Sequence, residues 1–186
     1  VSPTFYPDTS DVRCILGIRA CQRAVELGIR LLLVDASPPP VRAALEATGV
    51  TVRAQTAVGK KGAALREAIK IALEMLPCDG VICYQELEKV SMVQRQPEVA
   101  MQIIQAGADV CVPRRADLEF RSSYPVEQYH SELFANGYLD ALARDAGFPS
   151  IDWTFGPLAL RASFAGHWLQ SEGELWDAQA SRGRAE

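Results

Sequence analysis

The feature that most constrains this chain is an alternation: short apolar runs of strand length are separated by amphipathic stretches of helix length. "DVRCILGIRACQRAVELG" (11–28) carries apolar residues at helical spacing and closes on Gly28, a residue suited to the left-handed end of a helix. "IRLLLVDAS" follows, a continuous apolar run of the kind buried on both faces of a parallel sheet, with Asp35 at its C-terminal end. "PPPVRAALEATGV" predicts a turn and a short helix, its prolines at the entry where a missing N–H does no harm. "VTVRAQ" (50–55) predicts a second, weaker strand. A Gly-Lys loop, Gly59 to Gly62, opens the helical pattern of 58–76, and "GVICYQ" is the next strand. Residues 97–109 then predict a helix and "DVCVPRR" (109–115) a strand. Such an order implies βαβ units and an α/β fold with a mostly parallel central sheet flanked by helices.

After residue 115 the alternation lapses. Residues 115–147 read as a polar loop, including "RSSYP" (121–125), and then a helix from Val126 to Ala146. "FPSIDWTFGPLALRASFAGHWLQ" is aromatic and punctuated by Gly and Pro, and a polar tail follows. The expectation is one domain over 1–186, with 116–186 laid as a lid over 1–115. The opening "VSPTFYPDTSD" reads as the end of a strand that is cut off or begins just before Val1.

Charge narrows the function. With 19 basic and 23 acidic residues, a net charge of −4 and no block of either sign, the chain lacks the clustered cations that nucleic acid requires. No apolar run approaches the twenty or so residues of a transmembrane helix, and no secretory signal is visible. Five cysteines, none in a CxxC pair, read as reduced thiols of a cytoplasmic protein. With His130 and His167 the only histidines and no CxxC pair, a Cys/His zinc site is not expected. His130 reads as a helix-surface residue and His167, beside Trp168, as packing. Cys83, inside a strand, is no nucleophile, because apolar surroundings raise a thiol's pKa.

In open parallel sheets ligands bind at the C-terminal ends of the strands. Pro3 and Thr4, Asp35, and the pair Glu86 and Glu88 all fall on that edge. Gly59-Lys60-Lys61-Gly62 precedes a helix N-terminus, where free N–H groups and the helix dipole favour an anion. Cation site and anion site along one rim suit a nucleoside diphosphate bridged by a divalent metal. Glu86 and Glu88, two apart as the chain leaves its strand, are expected to turn to one side. Oxygen ligands completed by diphosphate suit Mg²⁺ or Mn²⁺. The competing reading of the same pair is a solvated turn.

The string "VSPTFYP…LLLVDAS…GKKGAALREAIKIAL…DGVICYQELEKV" resembles the nucleotide-sugar-binding half of family 2-like glycosyltransferases, whose Rossmann-like fold is called GT-A. The resemblance spans roughly 1–115, and "KGAALREAI" is its one close literal agreement. It implies that 1–115 binds a nucleotide-diphosphate sugar and that 116–186 is the acceptor side. It places Glu86-Leu87-Glu88 at the family's metal-binding D-x-D and Asp35 at its nucleoside-contacting Asp. Lys61 and Gly62 fall on the phosphate-side loop, and Pro3 and Thr4 on the first loop. Two departures stand out: both D-x-D aspartates are glutamates, and the usual Asp-Gly-Ser is Asp-Ala-Ser. Without a metal, Lys60, Lys61 or Arg114 would neutralise the diphosphate.

"FGPLALRASFAGHWLQSEGELWDAQ" (155–179) is similar to the family segment that ends in the catalytic base of inverting members. Asp177 is the implied base, with Glu174 and Asp152 competing for the role of deprotonating an acceptor hydroxyl. Trp176 would stack on a sugar, or "ELWDA" is one turn of a surface helix with a packed Trp. The implied function is transfer of a sugar to an acceptor the sequence does not name. A nucleotidyltransferase making sugar nucleotides is the alternative, although "VSPTFYPDTSD" lacks the glycines of its usual opening loop. A degenerate domain that binds nucleotide or a partner without turnover is the third reading.

Overall fold

The structure, a computed structural model, describes residues 1–56 and 61–170. Its first half builds β1 (Ser2–Thr4), α1 (Val12–Glu26), β2 (Leu32–Asp35), α2 (Pro39–Glu46) and β3 (Thr51–Ala54). β1 and β3 flank β2, and both pairings are parallel. The chain continues through α3 (Lys61–Met75), β4 (Val81–Tyr84), α4 (Val90–Val93), α5 (Gln96–Ala106) and β5 (Val110–Cys111). It ends in α6 (Asp117–Ser123), α7 (Val126–Asp145), β6 (Leu158–Arg161) and α8 (Ala162–Gln170). β6 lies between β4 and β5, antiparallel to both.

Two bonds join these three-stranded sheets. The Val1 amino group donates to Cys83 O at 2.6 Å, and the Gln85 N–H donates to Val1 O at 3.0 Å. That is the slanted pattern of a parallel ladder. Read across, the strands run β3-β2-β1-β4-β6-β5, with β6 alone reversed.

Helices cover both faces, which is why β2 is buried along its whole length. α1 buries Cys14, Gly17, Cys21 and Ala24, a stripe at helical spacing. With Val41 and Leu45 of α2, this stripe packs on Leu33, Tyr6 and Leu87. The opposite face belongs to α3, whose Ala64, Ala68, Ile69 and Ala72 meet Leu32, Val34, Ile82 and Leu160. Asp11 caps α1, its Oδ1 accepting from the Arg13 N–H at 2.8 Å.

The second half corrects several expectations. "DVCVPRR" yields only two strand residues, because Pro113 has no N–H to give a ladder and the chain turns away. Residues 117–123 form a helix where a loop was expected, and its Phe120 is buried. β6 completes the sheet from "LALR", a run without β-branched residues that only its two neighbours make a strand. His167 is exposed, its ring tilted against Phe164.

α7 runs over Val126–Asp145 as expected, but its inward face is polar. Glu132, Asn136 and Asp140, at four-residue spacing, all bond to the 150–154 loop, and Glu132 also meets Arg115. Leu133, Phe134, Tyr138 and Leu142 lie exposed. Among the described residues, no helix is long and apolar enough to cross a membrane.

Candidate functional site

The chain adds β2 and β3 on one side of β1 and then β4 on the other. Such a reversal opens a crevice at the C-terminal strand ends, between β1 and β4. Residues leaving those two strands line it.

On the β1–β2 side stands Asp35, fully buried. Its Oδ1 accepts from Thr4 Oγ1 at 2.9 Å and Ser37 Oγ at 2.6 Å, and its Oδ2 from the Ser37 N–H at 3.1 Å. Ser37 Oγ in turn accepts from the Tyr6 N–H at 2.9 Å. Arg42 reaches the same carboxylate, its Nε 3.5 Å from Oδ2. Asp35 therefore fixes Thr4, Ser37 and the chain at Tyr6. Thr4 and the half-buried Pro3 belong to β1 itself and not to the loop after it. The Asp-x-Ser spacing, which lets a carboxylate bond the backbone two residues on, was the available signal for Ser37.

On the β4 side, Glu86, Leu87 and Glu88 form a tight turn, closed by the Lys89 N–H on Glu86 O at 3.0 Å. Leu87 is driven into the core beneath α1. With the middle residue buried, the flanking acids take different main partners, although both act on Tyr84. Glu86 Oε1 lies 3.5 Å from Lys61 Nζ, and its Oε2 lies 3.3 Å from Lys89 Nζ. Glu88 instead lies near Tyr6 and Arg13. Burial is the largest cause of the raised Tyr6 pKa, with Glu88 next, whereas the Arg13 pKa is raised first by Asp11 and only in small part by Glu88. The Tyr6 hydroxyl makes no hydrogen bond of normal geometry despite the nearby carboxylate.

Lys61 is the first residue of α3, so the ammonium and the helix N-terminus sit together. Burial, the largest influence, pulls this ammonium down, but Tyr84 and Glu86 outweigh it and hold its pKa above the usual lysine value. Gly62 lies within the first turn of α3, and Lys60 lies outside the described residues. Lys89, which sequence reasoning passed over, donates to Tyr124 Oη at 2.9 Å and stands 4.6 Å from the centre of the Phe155 ring. Gly156 closes over the cluster with φ +87°, and a Cβ there would come 3.0 Å from Glu86 Cδ.

These groups fit a divalent ion poorly. Mg²⁺ and Mn²⁺ take shells of oxygen donors, whereas Glu86 is shared by two ammonium groups and Glu88 faces elsewhere. Among the described residues, no three His, Cys, Asp or Glu side chains form a metal-binding group.

The acceptor-side candidates divide. Asp177 and Glu174 lie outside the described residues. Asp152 is buried and holds Arg115 in three bonds, Nη2 to Oδ1 at 2.7 Å, Nε to Oδ2 at 2.8 Å and the backbone N–H to Oδ2 at 3.2 Å, with Asn136 Nδ2 adding a fourth at 2.9 Å. Burial, the largest influence, pushes its pKa up, but these bonds outweigh it and hold the carboxyl below its usual value. Arg114, the expected cation, is exposed, while its neighbour Arg115 is the hub of the region. The Arg115 guanidinium lies 3.7 Å from the Phe120 ring centre and also pairs with Glu132. Acids spaced along α7 were the signal for this hub.

A cavity of about 460 Å³ opens at the other edge of the sheet. Val1, Leu31, Leu32, Val81 and Ile82 line it, together with Cys83 and Gln85, which bond Val1. Compared with known proteins, the chain matches no family model and no curated protein.

Proposed function

We propose that the crevice between β1 and β4 binds a nucleotide-diphosphate sugar and that the protein is a glycosyltransferase with a GT-A-like fold. One observation carries the reading: Lys61 at the α3 N-terminus meets Glu86 from the end of β4, on the rim where Asp35 orders Thr4 and Ser37. In this reading, charge for a diphosphate and a polar shelf for its nucleoside share the edge where open α/β sheets take their ligands.

In this reading Thr4, Ser37 and the Tyr6 backbone face the nucleoside, with Asp35 fixing them from beneath. The diphosphate rests against Lys61 and the first turn of α3. A Mg²⁺ or Mn²⁺ ion is one way to offset its charge, and it would have to draw Glu86 away from two ammonium groups. The sugar and its acceptor lie under the Tyr124, Phe155 and Gly156 side of the crevice. Asp152 is committed to Arg115, so the base that takes the acceptor's proton is assigned to Asp177 or Glu174.

Calorimetry with UDP and GDP tests this reading. One of the two diphosphates is expected to bind at least tenfold tighter than its nucleoside. Failure of both to bind, with or without Mn²⁺, removes the reading.

A further inference from the structure

We infer that Lys61 and Lys89 are the diphosphate-binding cations of this crevice, and that Glu86 is the counter-ion they share while it is empty, so that binding needs no divalent ion. The inference rests on the reading above and assigns Glu86 the opposite role from a metal ligand.

The first support is charge count. Glu86 places one oxygen on each ammonium, 3.5 Å from Lys61 and 3.3 Å from Lys89. Two ammonium groups thus share a single carboxylate, at a helix N-terminus that adds partial positive charge. An anion that reaches both is favoured there.

The second is space. Gly156 packs so closely on the Glu86 carboxyl that an added Cβ would stand 3.0 Å from Cδ and 3.1 Å from Oε2. Mg²⁺ demands a near-octahedral shell at about 2.1 Å, most of it water or substrate oxygen. Gly156 therefore lies against one side of the Glu86 carboxylate.

The third is the setting of Lys89. It is held in place by Tyr124 Oη and by the Phe155 face, with its side chain only 23% exposed. A lysine anchored this way is preorganised, and its loss of freedom on binding is already complete. Lys61, 72% exposed, closes from the other side. An incoming diphosphate displaces the Glu86 carboxylate from both ammonium groups, exchanging one anion for another without bringing in a new cation.

This exchange predicts an effect of opposite sign to metal ligation. UDP, GDP, uridine and guanosine are titrated into the full chain in EDTA and again in Mn²⁺, with wild type, Glu86→Gln, Lys61→Met and Lys89→Met. The expected result is diphosphate binding in EDTA within threefold of that in Mn²⁺. Glu86→Gln should tighten EDTA binding about threefold to tenfold, and each lysine variant should weaken it at least tenfold while leaving nucleoside affinity unchanged. Lys61, being exposed, keeps the test valid if Lys89→Met does not fold. Diphosphate binding only with Mn²⁺, or its loss in Glu86→Gln, overturns the inference and leaves the reading of the crevice standing. No binding of any of the four compounds overturns both.

Discussion

Arg115 Nη2 lies 2.7 Å from Asp152 Oδ1, with both side chains almost wholly buried at 6% and 4% exposure. This pair, bidentate and extended to Glu132, Asn136 and Thr154, fastens α7 and the 150–154 loop to the end of β5. It replaces the apolar contacts that α7 does not make on its inward face.

Removing one partner should therefore be costly. Arg115→Met leaves Asp152 buried without its counter-ion, and such a break typically costs about 3–5 kcal/mol. Urea unfolding of wild type and variant measures it. Arg115→Lys should recover less than half, because an ammonium cannot reproduce the two parallel bonds of the guanidinium. Wild-type stability in Arg115→Met would show that the ion pair is not what holds this region.

The same pair sets a pH dependence. Asp152 and Glu132 both have folded pKa values below their ordinary ones; burial raises each, but their hydrogen bonds, led by those from Arg115, outweigh it. A depressed acid contributes stability that is complete above its unfolded pKa, about 4, and is lost as pH falls through the folded value. Melting temperature should fall steeply below about pH 4 in the wild type. Asp152→Asn should be less stable at pH 7 and show a flatter decline in the same acid range.

Gly156 combines a left-handed φ of +87° with contact on Glu86. Gly156→Ala should cost on the order of 1–3 kcal/mol from backbone strain. It should also push Glu86 off its lysines, changing diphosphate affinity, as calorimetry would read. A variant equal to wild type in both would mean that the loop does not bear on the carboxylate.

Gly17 lets α1 approach Tyr6, since a Cβ would stand 2.9 Å from Tyr6 Oη and 3.2 Å from Leu87 Cδ2. Gly17→Ala should destabilise by about 1–3 kcal/mol through overpacking. Tyr6→Phe removes the clashing oxygen, so the double variant should regain much of that loss, a coupling read from a double-mutant cycle. Strict additivity would place the strain elsewhere.

Asp35→Asn tests the nucleoside shelf. An amide that keeps Thr4 and Ser37 Oγ as donors puts an NH₂ against the Ser37 N–H, costing roughly 2 kcal/mol. Uridine or guanosine affinity should fall with it. Unchanged nucleoside binding would detach Asp35 from the shelf.

The α/β class and the places of the first five strands along the chain were legible in the sequence, because each apolar run of β2 or β4 and each stripe of α1 or α3 is a local periodicity. Asp35, Lys61, Glu86 and Glu88 could be placed on one edge for the same reason: each sits where a strand ends or a helix begins. Direction of side chains was not legible. Burial of Leu87 between Glu86 and Glu88 sent the two acids to different main partners, and that burial depends on where α1 packs. Nor did local sequence mark Lys89, Tyr124 and Phe155, thirty residues and more apart, as one cluster. β6 is a strand only because β4 and β5 leave a gap for it, and Arg115 outranks Arg114 only because Asp152 comes back to meet it. Periodicity is written residue by residue, while charge pairing and the filling of a sheet belong to segments that meet only when the chain has folded.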